Sequence, residues 1–230
     1  MSAAMSAGST ISAPLRQNGV TIIPVRRIPA AKRALDVSLS LAGLVLSAPL
    51  WAVLAAVIKL EDGGDVFFGQ ERVGEGGRLF RALKFRSMVP DAEAAVGALQ
   101  ASEHDPRVTR IGRIMRATAM DELPQLWNIF RGDMSLVGPR ALRPGEIETG
   151  TDGSHVAMSD IPGYVERHQV RPGLTGVAQI FAPRDVPRRF KFKYDQIYIA
   201  NQGFWLDVRL IALSFWITFR GKWEHRGRKF

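Results

Sequence analysis

The chain has 230 residues, with 31 Lys and Arg against 22 Asp and Glu, a formal net charge of +9 and a pI of about 10.4. This length predicts one main domain, and the charge suits an anionic bilayer surface, phosphorylated substrates or nucleic acid. Cysteine is absent, which excludes disulfides and thiolate metal sites, and the four histidines are too widely spaced in sequence to form a metal-ligand motif.

Residues 1–30 are predicted to form a mobile tail, because they are rich in Ser, Ala, Gly and Pro and carry no apolar period. The next segment, residues 31–60, is predicted to be a membrane element. Residues 37–58 contain no charged side chain, and an unbroken helix of that length would just span the hydrocarbon. Pro49 lies near the middle and kinks or breaks a helix, so that neither arm alone reaches about 30 Å. The segment is therefore either a kinked span or a re-entrant hairpin.

The charges on both sides of this segment favour the hairpin. Lys32 and Arg33 precede it and Lys59 follows it, and the positive-inside rule places basic flanks in the cytoplasm. A kinked span remains the alternative. A signal peptide fits poorly, because its apolar core is shorter and begins nearer the N-terminus.

Residues 61–230 are predicted to form a cytoplasmic catalytic domain of mixed α/β class, mostly α. Residues 65–68 and 79–85 read as strands that flank a Gly-Glu-Gly-Gly turn, which predicts a small β-hairpin. Helices are predicted over residues 91–100, 110–116 and 123–130. A polar loop is predicted over 145–160.

The C-terminal part of the chain is predicted to contain an amphipathic helix. Apolar residues recur at helical spacing over residues 204–219, and tryptophans and a basic tail accompany them. This composition is typical of an interfacial helix that lies on a membrane. An ordinary core helix with a solvated basic end is an equal alternative, since tryptophan also serves in cores.

The sharpest candidate for chemistry is the adjacent pair Asp121 and Glu122, followed by Pro124. The pair has a simple alternative reading, since acidic residues and proline favour the first turn of a helix. However, four arginines recur at every third position of residues 107–116 and would lie near one helix face. Arginines that run into paired carboxylates suggest a phosphate-binding surface beside a nucleophile or a metal ligand.

Further basic residues accompany short motifs elsewhere in the chain. Lys84 and Arg86 follow the second predicted strand, Arg140 leaves a Gly-Pro turn, and Arg171 opens another turn. Each motif alone is weak, and a surface turn is the alternative. Together they offer several cations to a polyanion, next to two carboxylates that could hold Mg²⁺ with substrate phosphates.

Four motifs occur in a characteristic order: Lys-Phe-Arg-Ser-Met (84–88), Met-Asp-Glu-Leu-Pro-Gln-Leu-Trp-Asn (120–128), Gly-Asp-Met-Ser-Leu-Val-Gly-Pro-Arg (132–140) and Arg-Pro-Gly-Leu-Thr-Gly (171–176). In these motifs the chain resembles the bacterial sugar transferase family, the monotopic polyprenyl-phosphate phosphoglycosyl transferases. The resemblance runs from about residue 30 to the C-terminus. It implies a re-entrant membrane helix broken at Pro49.

The resemblance also implies a reaction. Asp121 matches the nucleophile that attacks the sugar-bearing phosphate of a nucleotide diphosphate sugar, expected to be a UDP-sugar. The resulting phosphosugar-aspartate then passes its sugar phosphate to polyprenyl (undecaprenyl) phosphate. Glu122 matches the partner acid that binds Mg²⁺ together with Asp121. Lys84 is expected at the catalytic centre.

Four residues match substrate-binding positions for phosphate or nucleotide: Arg116, Arg86, Pro139 and Arg140. Two positions depart from the family pattern. Ala48 stands before Pro49 where serine is usual, and Ala141 follows Arg140 where a second proline is usual. The first departure removes the serine whose backbone contact accompanies the break in the family, and the second removes a proline near the expected contact to the nucleotide base.

The implied enzyme begins exopolysaccharide, O-antigen or capsule-type glycan assembly at the cytoplasmic face of the bacterial inner membrane. Nucleic-acid binding is not expected, because no recognition motif is present. The oligomeric state is left open. The alternative is a non-enzymatic basic membrane-surface adaptor, for which Asp121 and Glu122 would be dispensable.

Overall fold

A computed structural model of the chain describes residues 15–17, 20–92, 105–149, 154–183 and 186–220. The α-helices are α1 (Ala30–Asp62), α2 (Arg110–Ala117), α3 (Gln125–Arg131), α4 (Tyr164–Arg167), α5 (Val177–Phe181), α6 (Arg188–Ala200) and α7 (Phe204–Phe219). The strands are β1 (Leu15–Gln17), β2 (Val20–Ile22), β3 (Phe67–Val73), β4 (Leu79–Phe85), β5 (Ser135–Val137), β6 (Ile147–Thr149), β7 (His155–Ala157) and β8 (Gly173–Thr175). The mixed, mostly helical fold class is confirmed.

Helix α1 is continuous over 33 residues and therefore about 50 Å long at 1.5 Å per residue. It does not lose its helical structure at Pro49, where the sequence predicted a break. Proline removes one backbone donor there, and two residues earlier the Ser47 hydroxyl donates a 2.6 Å hydrogen bond to the Gly43 carbonyl. The helix ends at Gly63, whose φ of 72° is left-handed and whose amide donates to the Lys59 carbonyl. The re-entrant course in the membrane stays a prediction.

One face of α1 packs on the rest of the protein along most of its length. Lys32, Asp36 and Ser40 are buried at four-residue spacing near its start, and Leu54 and Ile58 are buried near its end. The remaining surface is apolar and exposed, and only 11% of its most apolar 18-residue window is buried. By length and composition this helix can cross a membrane. A core helix of a soluble protein would be mostly buried, which α1 is not.

The predicted β-hairpin is confirmed as β3 and β4, which pair antiparallel over seven residues. Strand β3 extends to Val73, although the sequence pattern predicted an end at residue 68. The turn is a short 3-10 segment, Glu75–Gly77, in which Gly76 adopts a left-handed φ of 67°. The register places Phe68 opposite Lys84 and so fixes which face of β4 carries the lysine.

Three further strand pairs are short. β1 pairs with β2 and β6 with β7, both antiparallel, while β5 and β8 are parallel. The pair β6–β7 lies within residues 145–160, where the sequence predicted a loop. Before α1, Ile23 is buried and the Arg26 amide donates 2.8 Å to the Gln169 carbonyl.

The helices predicted over residues 110–116 and 123–130 are confirmed as α2 and α3, and the C-terminal helix is confirmed as α7. Thr109 caps α2 by accepting a 3.0 Å hydrogen bond from the Gly112 amide. Residues 190–199, a segment rich in basic and aromatic side chains, lie in α6. Residues 93–100, where a helix was predicted, lie outside the described part of the chain, as do the basic residues after 220.

The main hydrophobic core lies between α3, β5, α6 and α7. Its buried members are Leu126, Ile129, Met134, Leu136, Val137, Val170, Ile180, Tyr198, Ile199, Leu210 and Ile217. A second cluster lies under the end of α1. It consists of Leu54, Ile58, Phe85 and Met115, and so joins α1 to β4 and α2.

A buried charged contact ties the start of α1 to the C-terminal helix. The Lys32 ammonium lies 2.7 Å from Asp207 Oδ2 and also donates to the Val137 carbonyl at 3.0 Å. The Tyr198 hydroxyl accepts from Lys32 at 3.1 Å and lies 2.9 Å from the other Asp207 oxygen. Lys32 and Asp207 are almost fully buried, so each neutralises a charge that would be costly alone. Helix α7 therefore packs one face against the core, while Trp205 and Phe219 elsewhere on the same helix are 80% and 78% exposed.

Candidate active site

The paired carboxylates lie in a tight turn between α2 and α3. Ala119 has a φ of 54°, in the left-handed region that a residue with a Cβ seldom adopts. A 3-10 turn, Met120–Glu122, follows it directly. Both carboxylate residues are buried, Asp121 with 8% and Glu122 with 7% of its surface exposed. The chain reverses its direction sharply in this turn, and α3 begins after Pro124. The two adjacent acidic side chains therefore lie inside the domain.

Strand β4 and the segment after β5 bring cations to these carboxylates. The Lys84 ammonium lies 2.5 Å from Glu122 Oε1 and 3.9 Å from Asp121 Oδ2. Arg140 approaches Glu122 Oε1 at 3.5 Å. Lys84 is thus hydrogen-bonded to Glu122 and close to Asp121. The hydrogen bond between Lys84 and Glu122 is charge-assisted and therefore of the stronger kind.

The electrostatics keep Glu122 ionised. Burial by itself would raise the pKa of Glu122, but the charges of Lys84 and Arg140, the Lys84 hydrogen bond and the charge of Arg72 outweigh it. Together they lower the pKa of this carboxyl to about 2. Glu122 therefore carries its negative charge through the neutral and mildly acidic range.

Asn128 joins the turn and α3 to strand β4. Its side-chain oxygen accepts a 3.0 Å hydrogen bond from the Leu83 amide, and its amide nitrogen donates to the Arg81 carbonyl at 2.9 Å and to Asp133 at 3.2 Å. Only 2% of its surface is exposed. Since Leu83 precedes Lys84, this buried amide sets the position of the lysine relative to the carboxylates.

Two of the sequence motifs prove to be strand partners. Residues 135–140 and 171–176 meet as the parallel pair β5–β8, in register Ser135↔Gly173 and Val137↔Thr175. The backbones approach so closely that a Cβ on Gly138 would lie 2.4 Å from the Arg171 carbonyl oxygen. This pairing fixes the buried Pro139, whose carbonyl accepts from the Gly173 amide at 2.8 Å. Arg140 follows it and reaches Glu122.

Arg86 is placed apart from this cluster. Its guanidinium pairs with the Asp62 carboxylate, with 2.6 Å from Nη1 to Oδ2, and donates to the Asp65 carbonyl at 2.5 Å. It thus joins β4 to the end of α1. Arg116 lies half-buried in the last turn of α2. The pKa of Asp105 is lowered to about 2, chiefly by the Arg107 hydrogen bond and to a smaller extent by the charge of Arg116. Of the predicted residues, the structure therefore brings together Asp121, Glu122, Lys84 and Arg140.

Arg72 is a member of the site that the sequence analysis missed. Its guanidinium donates to the Ala141 carbonyl at 3.1 Å and to Gln70 at 2.5 Å. Burial, followed by the charges of Arg140 and Arg143, lowers the pKa of Arg72 to about 10, so that it stays positive at neutral pH. Strand alternation could have found it, because Arg72 lies on the same face of the hairpin as Lys84.

The carboxylate pair offers the hard oxygen ligands that Mg²⁺ prefers. Within the described part of the chain there is no group of three or more His, Cys, Asp or Glu that could hold a metal ion. A Mg²⁺ ion at Asp121 and Glu122 would thus complete its shell with water and substrate phosphate oxygens, which is its usual mode of binding. The carboxylates of Asp121 and Glu122 therefore fit Mg²⁺ when water and phosphate oxygens supply its other ligands.

The model of the family described as bacterial sugar transferase matches residues 27–221. The chain is 45% identical over 190 residues to an undecaprenyl-phosphate glucose phosphotransferase of Komagataeibacter xylinus, which covers 80% of this chain and 35% of the relative. It is 43% identical over 183 residues to a UDP-N-acetylgalactosamine-undecaprenyl-phosphate N-acetylgalactosaminephosphotransferase of Aeromonas hydrophila, with 78% and 41% covered. It is 40% identical over 185 residues to the exopolysaccharide production protein PSS of Rhizobium leguminosarum bv. phaseoli, with 78% and 90% covered. Less than half the length of the first two relatives is thus matched, but most of the third.

Proposed function

Because this chain belongs to the bacterial sugar transferase family, we propose that it is an enzyme that transfers a sugar 1-phosphate from a UDP-sugar to undecaprenyl phosphate. Two similar proteins carry undecaprenyl phosphate and a sugar phosphotransferase activity in their names, and a third is named for exopolysaccharide production. The observation that carries the proposal is the buried pair Asp121 and Glu122 held against Lys84 and Arg140. Initiation of an exopolysaccharide, O-antigen or capsule-type glycan is the proposed role.

In the first proposed step, an Asp121 carboxylate oxygen attacks the phosphorus that bears the sugar. A bond forms between this oxygen and the phosphorus, and the bond from the phosphorus to the bridging oxygen breaks, so that UMP leaves with the electron pair. Lys84 lies 3.9 Å from Asp121 and 2.5 Å from Glu122, where its charge offsets two adjacent carboxylates that must meet an anionic substrate. Arg140, with 45% of its side chain exposed, is available to the incoming diphosphate.

In the second proposed step, a phosphate oxygen of undecaprenyl phosphate attacks the phosphosugar on Asp121. The new phosphorus–oxygen bond gives undecaprenyl-diphosphate-sugar, and the aspartate oxygen leaves as a free carboxylate. Asp121 and Glu122 would hold Mg²⁺, which, when bound, neutralises phosphate charge and orients the transferred group. Arg72 supports Arg140 through its hydrogen bond to the Ala141 carbonyl, 3.1 Å away.

We further propose that the protein sits on the cytoplasmic face of the bacterial inner membrane, with α1 re-entrant. The described domain packs on α1 from Lys32 to Ile58, and both ends of the helix therefore meet the same domain. A straight span would separate its ends by about 30 Å of hydrocarbon. The exposed apolar side chains of α1 and the exposed aromatics of α7 support a position in and on the bilayer.

The first test measures UMP release from a panel of UDP-sugars by the full-length protein in lipid vesicles with Mg²⁺ and undecaprenyl phosphate. Asp121→Asn is expected to lower the rate at least about a thousandfold, because the nucleophile is lost. The matched control is Asp160→Asn, since Asp160 is an exposed aspartate that also lies in a three-residue 3-10 turn. Equal rates for wild type and Asp121→Asn would refute the role of Asp121. Vesicle binding without any UMP release by the wild type would favour the membrane-surface adaptor instead.

The second test determines topology with a reporter cysteine placed in the N-terminal tail, which is practical because the chain has no cysteine. Labelling by a membrane-impermeant maleimide from the cytoplasmic side of inverted vesicles is expected. Labelling from the opposite side alone would mean that α1 spans the membrane.

A further inference from the structure

An apolar groove lies where the end of α1 meets the start of α2. Its volume is about 390 Å³, which falls within the range of roughly 300–1,000 Å³ found for small-molecule sites. Leu60 is 85% exposed and Ile114 is 60% exposed, so the walls are open to their surroundings. The residues that line this interhelical groove are Val57, Leu60, Glu61, Arg110, Ile111 and Ile114.

The two walls of the groove are fixed to each other. The Glu61 carboxylate accepts hydrogen bonds from the backbone amides of Arg110, at 2.7 Å, and Ile111, at 3.4 Å. Below the groove, Ile58 of α1 and Met115 of α2 are fully buried in one cluster. The interhelical groove is therefore part of a rigid junction, because polar and apolar contacts both hold α2 on α1.

The position of the groove connects the membrane helix with the carboxylates. Val53, Val57 and Leu60 are exposed at helical spacing on α1, which is the one helix among the described residues that is long and apolar enough to cross a membrane. On the other side, α2 runs from the groove to Ala117, about 4.5 Å along its axis from Ile114. The turn that carries Asp121 follows at once. Arg110 adds a cation at the rim.

We propose that the interhelical groove holds the isoprenoid chain of the lipid phosphate acceptor, close to its phosphate end. This inference rests on the proposed function and names the place where its lipid substrate enters. The apolar lining suits a hydrocarbon chain, the continuity with α1 gives such a chain access from the bilayer, and the direction of α2 leads its phosphate toward Asp121. An annular phospholipid or a second copy of this chain would be the competing occupants.

The test fills the groove with Ile114→Trp. The matched control is Ile197→Trp, which makes the same substitution at an isoleucine on the surface of α6 that is 54% exposed and outside the groove. UMP release is measured without lipid acceptor, as the first half-reaction, and across a range of undecaprenyl phosphate concentrations. The KM for undecaprenyl phosphate is taken relative to the rate of lipid-independent UMP release. For Ile114→Trp this ratio is expected to rise about tenfold, while Ile197→Trp changes it less than about twofold. An unchanged ratio for Ile114→Trp overturns the inference.

A second measurement does not depend on turnover. A polyprenyl phosphate with a photoreactive diazirine in its first isoprene units is irradiated with Asp121→Asn protein in phosphatidylglycerol vesicles. Crosslinks are expected within residues 110–117; they should be displaced by undecaprenyl phosphate and lost in the Asp121→Asn, Ile114→Trp double variant. Displacement by added phosphatidylglycerol alone, or a crosslinked dimer in place of the lipid adduct, overturns the inference. If the wild type releases no UMP, the proposed function fails, but this crosslink still reports on the groove.

Discussion

Asn128→Ala is predicted to loosen the joint between α3 and β4. The substitution removes three hydrogen bonds and leaves the Leu83 amide and the Arg81 carbonyl without their side-chain partner. A polar group left unsatisfied costs about 1–3 kcal/mol, and since β4 is only half-buried at Leu83 we take the lower part of that range for each. The expected loss of unfolding free energy is therefore about 2–3 kcal/mol. For a domain of this size it corresponds to a fall in Tm of about 4–12 °C.

The assay is thermal unfolding followed by tryptophan fluorescence, in parallel with UMP release below the transition. Because Leu83 adjoins Lys84, kcat/KM is expected to fall at least about tenfold in the protein that remains folded. Asn128→Asp gives a sharper test. It keeps an acceptor for the Leu83 amide but places a carboxylate oxygen against the Arg81 carbonyl and Asp133. Its stability relative to wild type should improve as the pH falls toward about 4, where the new carboxyl gains a proton that it can donate.

The control is Asn201→Ala, at an exposed asparagine whose side chain donates 2.8 Å to the Ile197 carbonyl at the end of α6. Its effect is expected to stay within about 0.5 kcal/mol. A loss below about 1 kcal/mol for Asn128→Ala, or a loss of activity at unchanged Tm, would refute the argument that Asn128 acts by fixing β4.

Two further predictions concern packing and pH. Gly138→Ala is expected to destabilise the protein by about 1–3 kcal/mol, because its Cβ would lie 2.4 Å from a backbone oxygen of Arg171; in Gly203→Ala, the control, the Cβ meets nothing nearer than 3.8 Å. Burial, aided by the charge of Arg167, lowers the pKa of His168 to about 3, from an ordinary value of about 6.5. The unfolded state therefore binds a proton that the folded state does not, and stability is lost as the pH falls from about 6.5 toward 3. Between pH 7 and pH 5 the loss from this histidine is about 2 kcal/mol, and His168→Gln should remove it from the urea unfolding curves.

Each of these two has a contrary outcome. Equal stability of the Gly138→Ala and Gly203→Ala proteins would mean that β5 and β8 can move apart to accommodate the added methyl group without loss of stability. Parallel stability-against-pH curves for wild type and His168→Gln would mean that His168 takes up its proton in the folded state.

Local patterns predicted the local structure well. The Gly-rich turn between two extended stretches gave the hairpin, and the apolar spacing of residues 204–219 gave α7. The same kind of local rule predicted a kink or a break at Pro49. The break is not confirmed, because helical structure continues past the one missing donor and the surrounding turns persist. Strand β3 was predicted too short, since Gln70, Glu71 and Arg72 are polar and only their pairing with β4 extends the strand.

The site was accessible from sequence only in part. Asp121 and Glu122 were found as neighbours in one motif. The resemblance to a family then predicted that Lys84 and Arg140 belong to the same site. The contact between Lys84 and Glu122 joins residues 38 positions apart in sequence. Helical or strand periodicity relates residues that are close in sequence and cannot predict such a contact. Asn128 was missed as a site residue for the same reason, since a buried polar side chain shows its partners only after the chain has folded. Arg72 was missed because the strand was predicted to end at residue 68, before the alternation reached it.

The contact between Lys32 and Asp207 has a consequence for the order in which this protein is made. The two residues are 175 positions apart in sequence, and at about 5–20 residues per second the ribosome needs roughly 10–35 s to pass from one to the other. During that interval Asp36, four residues further along α1, can offset the charge of Lys32, but the buried contact with Asp207 cannot yet form. Because an ammonium is costly to bury without such a partner, we expect the start of α1 to pack fully onto its domain only after residue 207 has been made. Helix α7 then supplies the carboxylate against which the start of α1 is buried.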